Sequence, residues 1–171
     1  ALAGVMTFTG VHQTTPLGTF ASASGTSLGP ATVNVTSAAN ELVFDTVACE
    51  TCTSFTVGAG QTQRWNLSES SGGGPNLGAG STEPGAATVT MSWTLGSNDH
   101  WAIGAVPIKP SGGSAPAVDS VSNGQTTRPS ITISHTTSGS QRLMLVGVSI
   151  NNNQSETVSS LTYNGVALTL V

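Results

Sequence analysis

Charged residues are scarce in this sequence. Lys and Arg together number 4 and Asp and Glu number 8, so that 7% of the 171 residues are charged and the formal net charge is −4. In ordinary soluble domains roughly a quarter of the residues are charged. A cluster of Lys and Arg is the electrostatic footprint of a nucleic-acid-binding protein, and the sequence has none. We therefore expect no nucleic-acid partner.

Long apolar runs are absent as well. A membrane-spanning helix needs about 20 consecutive apolar residues, and no run approaches that length. No charged segment precedes the apolar residues at Ala1, so the start of the sequence does not resemble a signal peptide. It indicates a processed terminus or an internal cut. We expect no membrane span.

Cysteine is limited to Cys49 and Cys52. A single C-x-x-C pair is weak evidence for zinc, which prefers four ligands, and His12, His100 and His135 do not stand at ligand spacing. A redox C-x-x-C pair is expected between a strand and a helix, which this sequence does not offer. A local disulfide that braces a β-turn is the interpretation we favour, with no metal and no cofactor.

Short stretches of period two, separated by turn residues, make up most of the chain. Residues 87–95 alternate most regularly, with Val89, Met91 and Trp93 on one face and Ser or Thr on the other. Asn164-Gly165 is typical of a type I′ hairpin turn. No segment shows a helical period of useful length. We therefore predict an all-β fold, an antiparallel jelly-roll-like β-sandwich with about a dozen short strands.

Two stretches carry more specific expectations. Residues 69–84, which contain Gly72-Gly73-Gly74, are predicted to form a long loop, and such loops often lie at binding or assembly surfaces. Residues 130–135 are predicted to form a strand.

Residues 110–117 look like an interdomain linker, because small polar residues lie there between two prolines. Apolar runs, in contrast, stand at residues 1–8 and 165–171. We therefore predict the back part of one β-sandwich module over residues 1–109 and the front part of another over residues 118–171. The two parts either belong to different sandwiches or pack together, with a partner's strand supplying a missing edge.

Several segments resemble the tandem jelly-roll modules of large secreted microbial surface proteins. Residues 142–150 and 161–169 (RLMLVGVSI and LTYNGVALT) resemble the front half of such a module, and residues 4–11, 58–61 and 101–110 resemble its back half. In these modules a further aromatic-bearing hairpin follows the Asn-Gly turn, and that piece is absent here, so the chain is out of phase with the module. The resemblance implies a non-enzymatic building block of a cell-surface or extracellular assembly.

An incomplete sandwich exposes unpaired strand edges, which a neighbouring copy can fill by adding a strand. The candidate edges are residues 1–9 and 166–171. Head-to-tail contacts that do not close on themselves make fibres. The predicted function is a structural subunit of an extracellular filament or surface array, assembled from copies of itself. The residues expected in the assembly strands are Ala1, Leu2, Val5, Met6, Phe8, Val166, Leu168 and Leu170.

Two other classes of function stay open. A carbohydrate-binding module of a secreted hydrolase or adhesin would present Trp65, Trp101 and Tyr163 as stacking platforms for a polysaccharide. An enzyme such as a glycosidase would need two carboxylates held close together, whereas the eight acidic residues are scattered along the chain. We therefore expect no enzymatic activity.

Three N-x-S/T sequons mark Asn34, Asn66 and Asn153 as candidate glycosylation sites. Together with the low charge and the many hydroxyl side chains, they favour an extracellular or cell-surface location.

Overall fold

The computed structural model describes residues 1–26, 28–71, 74–150 and 156–171. In these ranges the chain forms β-strands and no helix, so no helix there is long and apolar enough to cross a membrane. The strands are β1 (Leu2–Thr9), β2 (Ala21–Gly25), β3 (Ala31–Val35), β4 (Leu42–Cys49), β5 (Phe55–Val57), β6 (Thr62–Ser71), β7 (Gly74–Pro84), β8 (Val89–Leu95), β9 (Trp101–Ile108), β10 (Ala117–Gln125), β11 (Leu143–Ser149), β12 (Thr162–Tyr163) and β13 (Val166–Ala167).

The strands form three antiparallel sheets and one short hairpin. The central sheet has the order β2-β9-β4-β7-β6, the first flanking sheet β3-β8-β5, and the second flanking sheet β10-β1-β11. Strands β12 and β13 pair only with each other among the described residues. The prediction of an all-β fold with sandwich-like packing is confirmed.

The central sheet is buried on both faces because consecutive residues of a strand point to opposite sides. In β4, Val43 belongs to the core shared with the first flanking sheet, and Phe44 belongs to the core shared with the second. Phe8 of β1 meets Phe44 edge to face, with ring centroids 6.1 Å apart. On the other side Trp93 of β8 is fully buried beside Phe55. Strand β4, in the middle of the central sheet, is therefore apolar on both faces apart from Asp45 and Thr46, and a flanking sheet covers each face.

Residues 69–84 are not a loop. Apart from Gly72 and Gly73, which lie outside the described residues, they belong to strands β6 and β7. A further glycine of β7, Gly80, has a packing role. A Cβ atom at Gly80, or at Gly4 of the second flanking sheet, would overlap the buried indole of Trp65. Small residues were needed there because the two sheets close around one large side chain.

Residues 130–135 are not a strand either. This stretch runs in an irregular conformation over the second flanking sheet, where Ile131 and Ile133 contact the backbone at Gly124. Apolar residues alternate in this stretch because one side of it lies on a sheet. A paired strand shows the same alternation, so the sequence could not distinguish the two.

The predicted turn at Asn164-Gly165 is confirmed. Both residues have positive φ, 48° and 79°, and they join β12 to β13 with Tyr163 opposite Val166. Asn and Gly accept this left-handed conformation at low cost.

The predicted linker, residues 110–117, connects the central sheet to the second flanking sheet. Residues 111–115 are exposed, and β9 ends just before them while β10 begins just after. Strand β1, from the first part of the chain, pairs with both β10 and β11 from the second part. The two parts of the chain therefore pack together in one structure, and a partner's strand at a missing edge stays a prediction.

Candidate assembly surface

Strand β1 lies in the middle of the second flanking sheet. Met6 pairs with Val121 of β10 on one side and with Leu145 of β11 on the other. The expectation that residues 1–9 present an open edge is therefore corrected, because the chain itself fills both edges of β1. The buried residues of this strand include four of those expected in assembly, Leu2, Val5, Met6 and Phe8, and the Ala1 ammonium group donates a hydrogen bond to the Thr126 carbonyl.

The other candidate stretch, residues 166–171, is exposed. The side chains of Val166 and Leu170 are 68% and 96% exposed, and Leu168 is half-buried. Strand β13 ends at Ala167, so the apolar residues beyond it have no sheet to pack on. An isolated two-stranded hairpin is marginally stable in water. In the described part of the chain, Val166 and Ala167 pair only with β12 and the Leu168 amide bonds to the Leu161 carbonyl, so the other edge of this stretch is unpaired.

A crossing segment, which we define as residues 130–137, holds the hairpin against the second flanking sheet. The His135 ring hydrogen-bonds through Nε2 to Thr7 and through Nδ1 to Ser122, the latter at 3.0 Å. The Tyr163 hydroxyl donates to the His135 carbonyl at 3.3 Å. Partial burial of the ring lowers the pKa of His135 below its usual 6.5, which favours the neutral imidazole in these contacts.

Strand β11 has a neighbour on one side only. Its partner is β1, and no described strand pairs with its second edge. Leu145 faces the inner core, so its neighbours Met144 and Val146, and Val148 beyond, point away from the central sheet. These three side chains are half-buried. Natural edge strands usually carry charged residues or proline that prevent further pairing, and β11 contains neither. Among the described residues the second edge of β11 is therefore unpaired and apolar, and we call this edge and residues 166–171 the two candidate assembly surfaces.

The three aromatic residues proposed as sugar platforms lie in different places. Trp65 is only 2% exposed between the central and second flanking sheets, so its expected stacking role is corrected: the ring is a core side chain. Trp101 is half-buried and packs against the other core, whereas Tyr163 is exposed on the hairpin. The chain does not present the three rings as one platform.

The sequons differ in what the structure shows of them. Asn34 is exposed and accepts a hydrogen bond from Thr90, and Asn66 is exposed and donates one to the Phe55 carbonyl. Both amides are at the surface, where a glycan would have room, and their glycosylation stays a prediction. Asn153 lies outside the described residues.

Cys49 and Cys52 form the close pair that the sequence predicted. They are joined as a disulfide with Cα atoms 5.7 Å apart, a usual separation for this bond, and both side chains are buried. The pair closes the turn that follows β4.

Most carboxylates are separate from one another, as the sequence indicated. Asp45 of β4 is fully buried, and its carboxylate accepts hydrogen bonds from Ser81 and from Trp93 of the first flanking sheet. One group with two acidic residues does come together. Glu50, Asp99 and His100 come together where β4 ends and β9 begins. The sequence gives no local signal for this group, because only the pairing of β4 with β9 brings Glu50 beside Asp99 and His100.

Comparison of the chain with known protein families, with characterised proteins and with solved structures finds no match.

Proposed function

We propose that this protein is a non-enzymatic structural subunit of an extracellular filament or surface array, built from a jelly-roll-like module. Copies assemble when residues 166–171 of one subunit add as a strand to the open edge of β11 in the next. The presence, in one chain, of an exposed apolar stretch and of an apolar edge strand without charge or proline is the observation that carries this proposal.

The donor stretch and the acceptor edge match in length and pattern. The donor has six residues and β11 has seven. Val166, Leu168 and Leu170 share one face of an extended strand, and Met144 and Val146 face outward from β11 at the same spacing of two. Added strands gain affinity from backbone hydrogen bonds and register from alternate side chains.

The expected contact is weak for one pair of copies. Full burial of a Val or Leu side chain stabilises by roughly 1.5–3 kcal/mol, so three of them contribute about 5–9 kcal/mol. Association costs of about 4–15 kcal/mol offset much of this gain. Growth should therefore depend steeply on protein concentration.

The geometry of the contact favours an open polymer. Donor and acceptor are different surfaces of the same chain, so each subunit keeps one free donor and one free acceptor after a contact forms. Such heterologous contacts extend into filaments unless the rotation between copies closes a ring.

The extracellular location is supported by composition and by the cysteines. Disulfides persist mainly in oxidising compartments, and Cys49 and Cys52 are paired. The low content of charge is also typical of secreted β-proteins.

Leu170→Asp tests the proposal without disturbing the monomer, because Leu170 is 96% exposed. A buried charge in the new interface should abolish filaments in electron micrographs and leave a single monomer peak in sedimentation velocity. Leu28→Asp is the matched control, since Leu28 is an exposed leucine elsewhere on the surface. It should assemble like the wild type.

A second measurement examines the acceptor. A synthetic peptide of residues 164–171 should compete for the β11 edge and slow filament growth in proportion to its concentration. Normal filaments from Leu170→Asp, or equal loss of assembly in Leu170→Asp and Leu28→Asp, would reject strand addition by this stretch.

The carbohydrate-binding alternative rests on Tyr163 alone. Its ring lies over an open groove together with Gln13, Arg142 and Met144, which offers polar groups beside one exposed aromatic face. If this surface binds sugar, an insoluble polysaccharide should retain the wild type and release Tyr163→Ala. Retention of neither protein would leave assembly as the function.

A further inference from the structure

The ends of β4 and β9 bring three potential metal ligands together. Cys49 and Trp101 are the last residue pair of these strands, and the next residues, Glu50 and His100, lie opposite each other. The Glu50 amide donates to the His100 carbonyl at 3.1 Å, which fixes the two turns relative to each other.

The ligand atoms of this group already converge. A carboxylate oxygen of Glu50, a carboxylate oxygen of Asp99 and a ring nitrogen of His100 all lie within 4.8 Å of one another. Nδ1 of His100 is hydrogen-bonded to Oδ1 of Asp99 at 3.0 Å, so a metal that binds this nitrogen would release the proton between them to water. Atoms bound to one zinc ion lie about 2.0–2.2 Å from it, so small side-chain rotations would place these three around an ion.

The backbone that carries the ligands is cross-linked. The disulfide Cys49–Cys52 closes the turn that holds Glu50. Ser97 connects this turn to the residues before β9, because its hydroxyl accepts from the Thr53 amide at 3.1 Å. A site on two connected turns loses little conformational freedom when it binds an ion.

The charges of the group are not neutralised by a cation of the protein. In the described ranges no Lys or Arg forms an ion pair with Glu50 or Asp99, and the His100–Asp99 contact is the sole ion pair found there.

We propose that Glu50, Asp99 and His100 bind one divalent transition-metal ion, with water completing its coordination. An imidazole nitrogen suits zinc, copper, nickel or iron, whereas calcium and magnesium prefer oxygen ligands alone. The proposal does not depend on the proposed assembly, because none of the three ligands belongs to β11 or to residues 166–171.

Isothermal titration with Zn²⁺ tests this site on the purified chain after treatment with a chelating resin. The wild type should bind one equivalent, and Ca²⁺ should bind at least about tenfold more weakly because one ligand is a nitrogen. Zn²⁺ should also raise the thermal midpoint, since a ligand that binds only the folded state stabilises it.

His100→Ala and Glu50→Gln should each weaken Zn²⁺ binding by about tenfold or more, since loss of even an outer partner of a metal ligand costs about this much. The His100 side chain is 71% exposed, so its removal should leave the metal-free thermal midpoint unchanged. His12→Ala is the control for adventitious binding by a histidine on another turn, and it should bind like the wild type.

Three results would overturn the site. They are no Zn²⁺ binding by the wild type, equal affinity in His100→Ala and His12→Ala, and Ca²⁺ binding as tight as that of Zn²⁺. An unchanged affinity in Glu50→Gln would remove Glu50 from the ligand set and reject the three-residue site as stated.

Discussion

Asp45 shows how one buried residue can link stability to pH. Its Oδ1 accepts hydrogen bonds from the amide and the hydroxyl of Ser81, each at 2.7 Å, and its Oδ2 accepts from Nε1 of Trp93 at 2.8 Å. Burial raises the pKa of the Asp45 carboxyl from 3.8 to about 6, although these hydrogen bonds act in the opposite direction. The folded protein therefore holds this proton more tightly than the unfolded chain does.

The sign of the pH dependence follows from that difference in pKa. The contribution of Asp45 to stability is fully present below pH 3.8 and is lost as pH rises through about 6. The shift corresponds to about 3 kcal/mol in the free energy of unfolding. Urea unfolding at pH 4 and pH 7 should show a much steeper loss in the wild type than in Asp45→Asn. Parallel curves for the two proteins would contradict a raised pKa at this residue.

Gly4→Ala should destabilise the protein by about 1–3 kcal/mol, because the added Cβ overlaps the indole of Trp65 between two closely packed strands. Gly112→Ala is the matched control, since a Cβ there meets nothing within 4 Å. Urea midpoints of the two variants give the comparison. A Gly4→Ala midpoint equal to that of Gly112→Ala would contradict the close packing of Trp65.

The turn between β4 and β5 depends on the Cys49–Cys52 pair. Cys49→Ala combined with Cys52→Ala should lower the free energy of unfolding by about 2 kcal/mol, the chain-entropy value for so short a loop. Chemical unfolding of this variant beside the oxidised wild type measures the difference. Addition of a reductant should lower wild-type stability and leave the variant unaffected, whereas a response of both would point to another cause.

The local sequence predicted the strands in which apolar and polar residues alternate, because one face of such a strand is buried and the other is exposed to solvent. Strand β8 is such a case, with Val89, Met91, Trp93 and Leu95 buried. Strand β7 was missed because its glycines accommodate a tryptophan from the neighbouring strand, and turn-forming glycines look the same in the sequence. The crossing segment was mistaken for a strand because a chain lying on a sheet alternates as a paired strand does.

Of the two stretches that the sequence proposed as open edges, one is exposed in the structure and the other is not. An apolar stretch after an Asn-Gly turn identified residues 166–171, and the structure leaves them exposed. The same argument applied to residues 1–9 failed, because β1 finds its two neighbours more than a hundred residues later. Whether a strand is an edge depends on distant pairing, which no local pattern records. The meeting of Glu50 with His100 was hidden for the same reason.

The described part of the molecule has three layers of sheet, little charge and an unpaired apolar edge at β11. Its net charge of −4 makes copies repel each other weakly at neutral pH, while the proposed contact between them is apolar. Salt screens the repulsion, and sulfate, which is excluded from protein surfaces, strengthens apolar association.

Filament growth should therefore speed up when salt is added and when pH is lowered toward the isoelectric point near 5.0. Light scattering with micrographs at each condition measures this, and Leu170→Asp under the same conditions separates ordered growth from precipitation. Dissolution of filaments by sodium sulfate would show that charge pairs, and not apolar strands, hold the subunits together.

The central position of β1 has a consequence for how the protein folds. The Ala1 ammonium group bonds to Thr126, 125 residues further along, and both strands beside β1 come from the last third of the described chain. A ribosome would release β1 long before either neighbour exists, and contacts so distant in sequence form slowly. Until then both backbone edges of β1 are unpaired, so the nascent chain passes through a stage in which a chaperone could protect this strand.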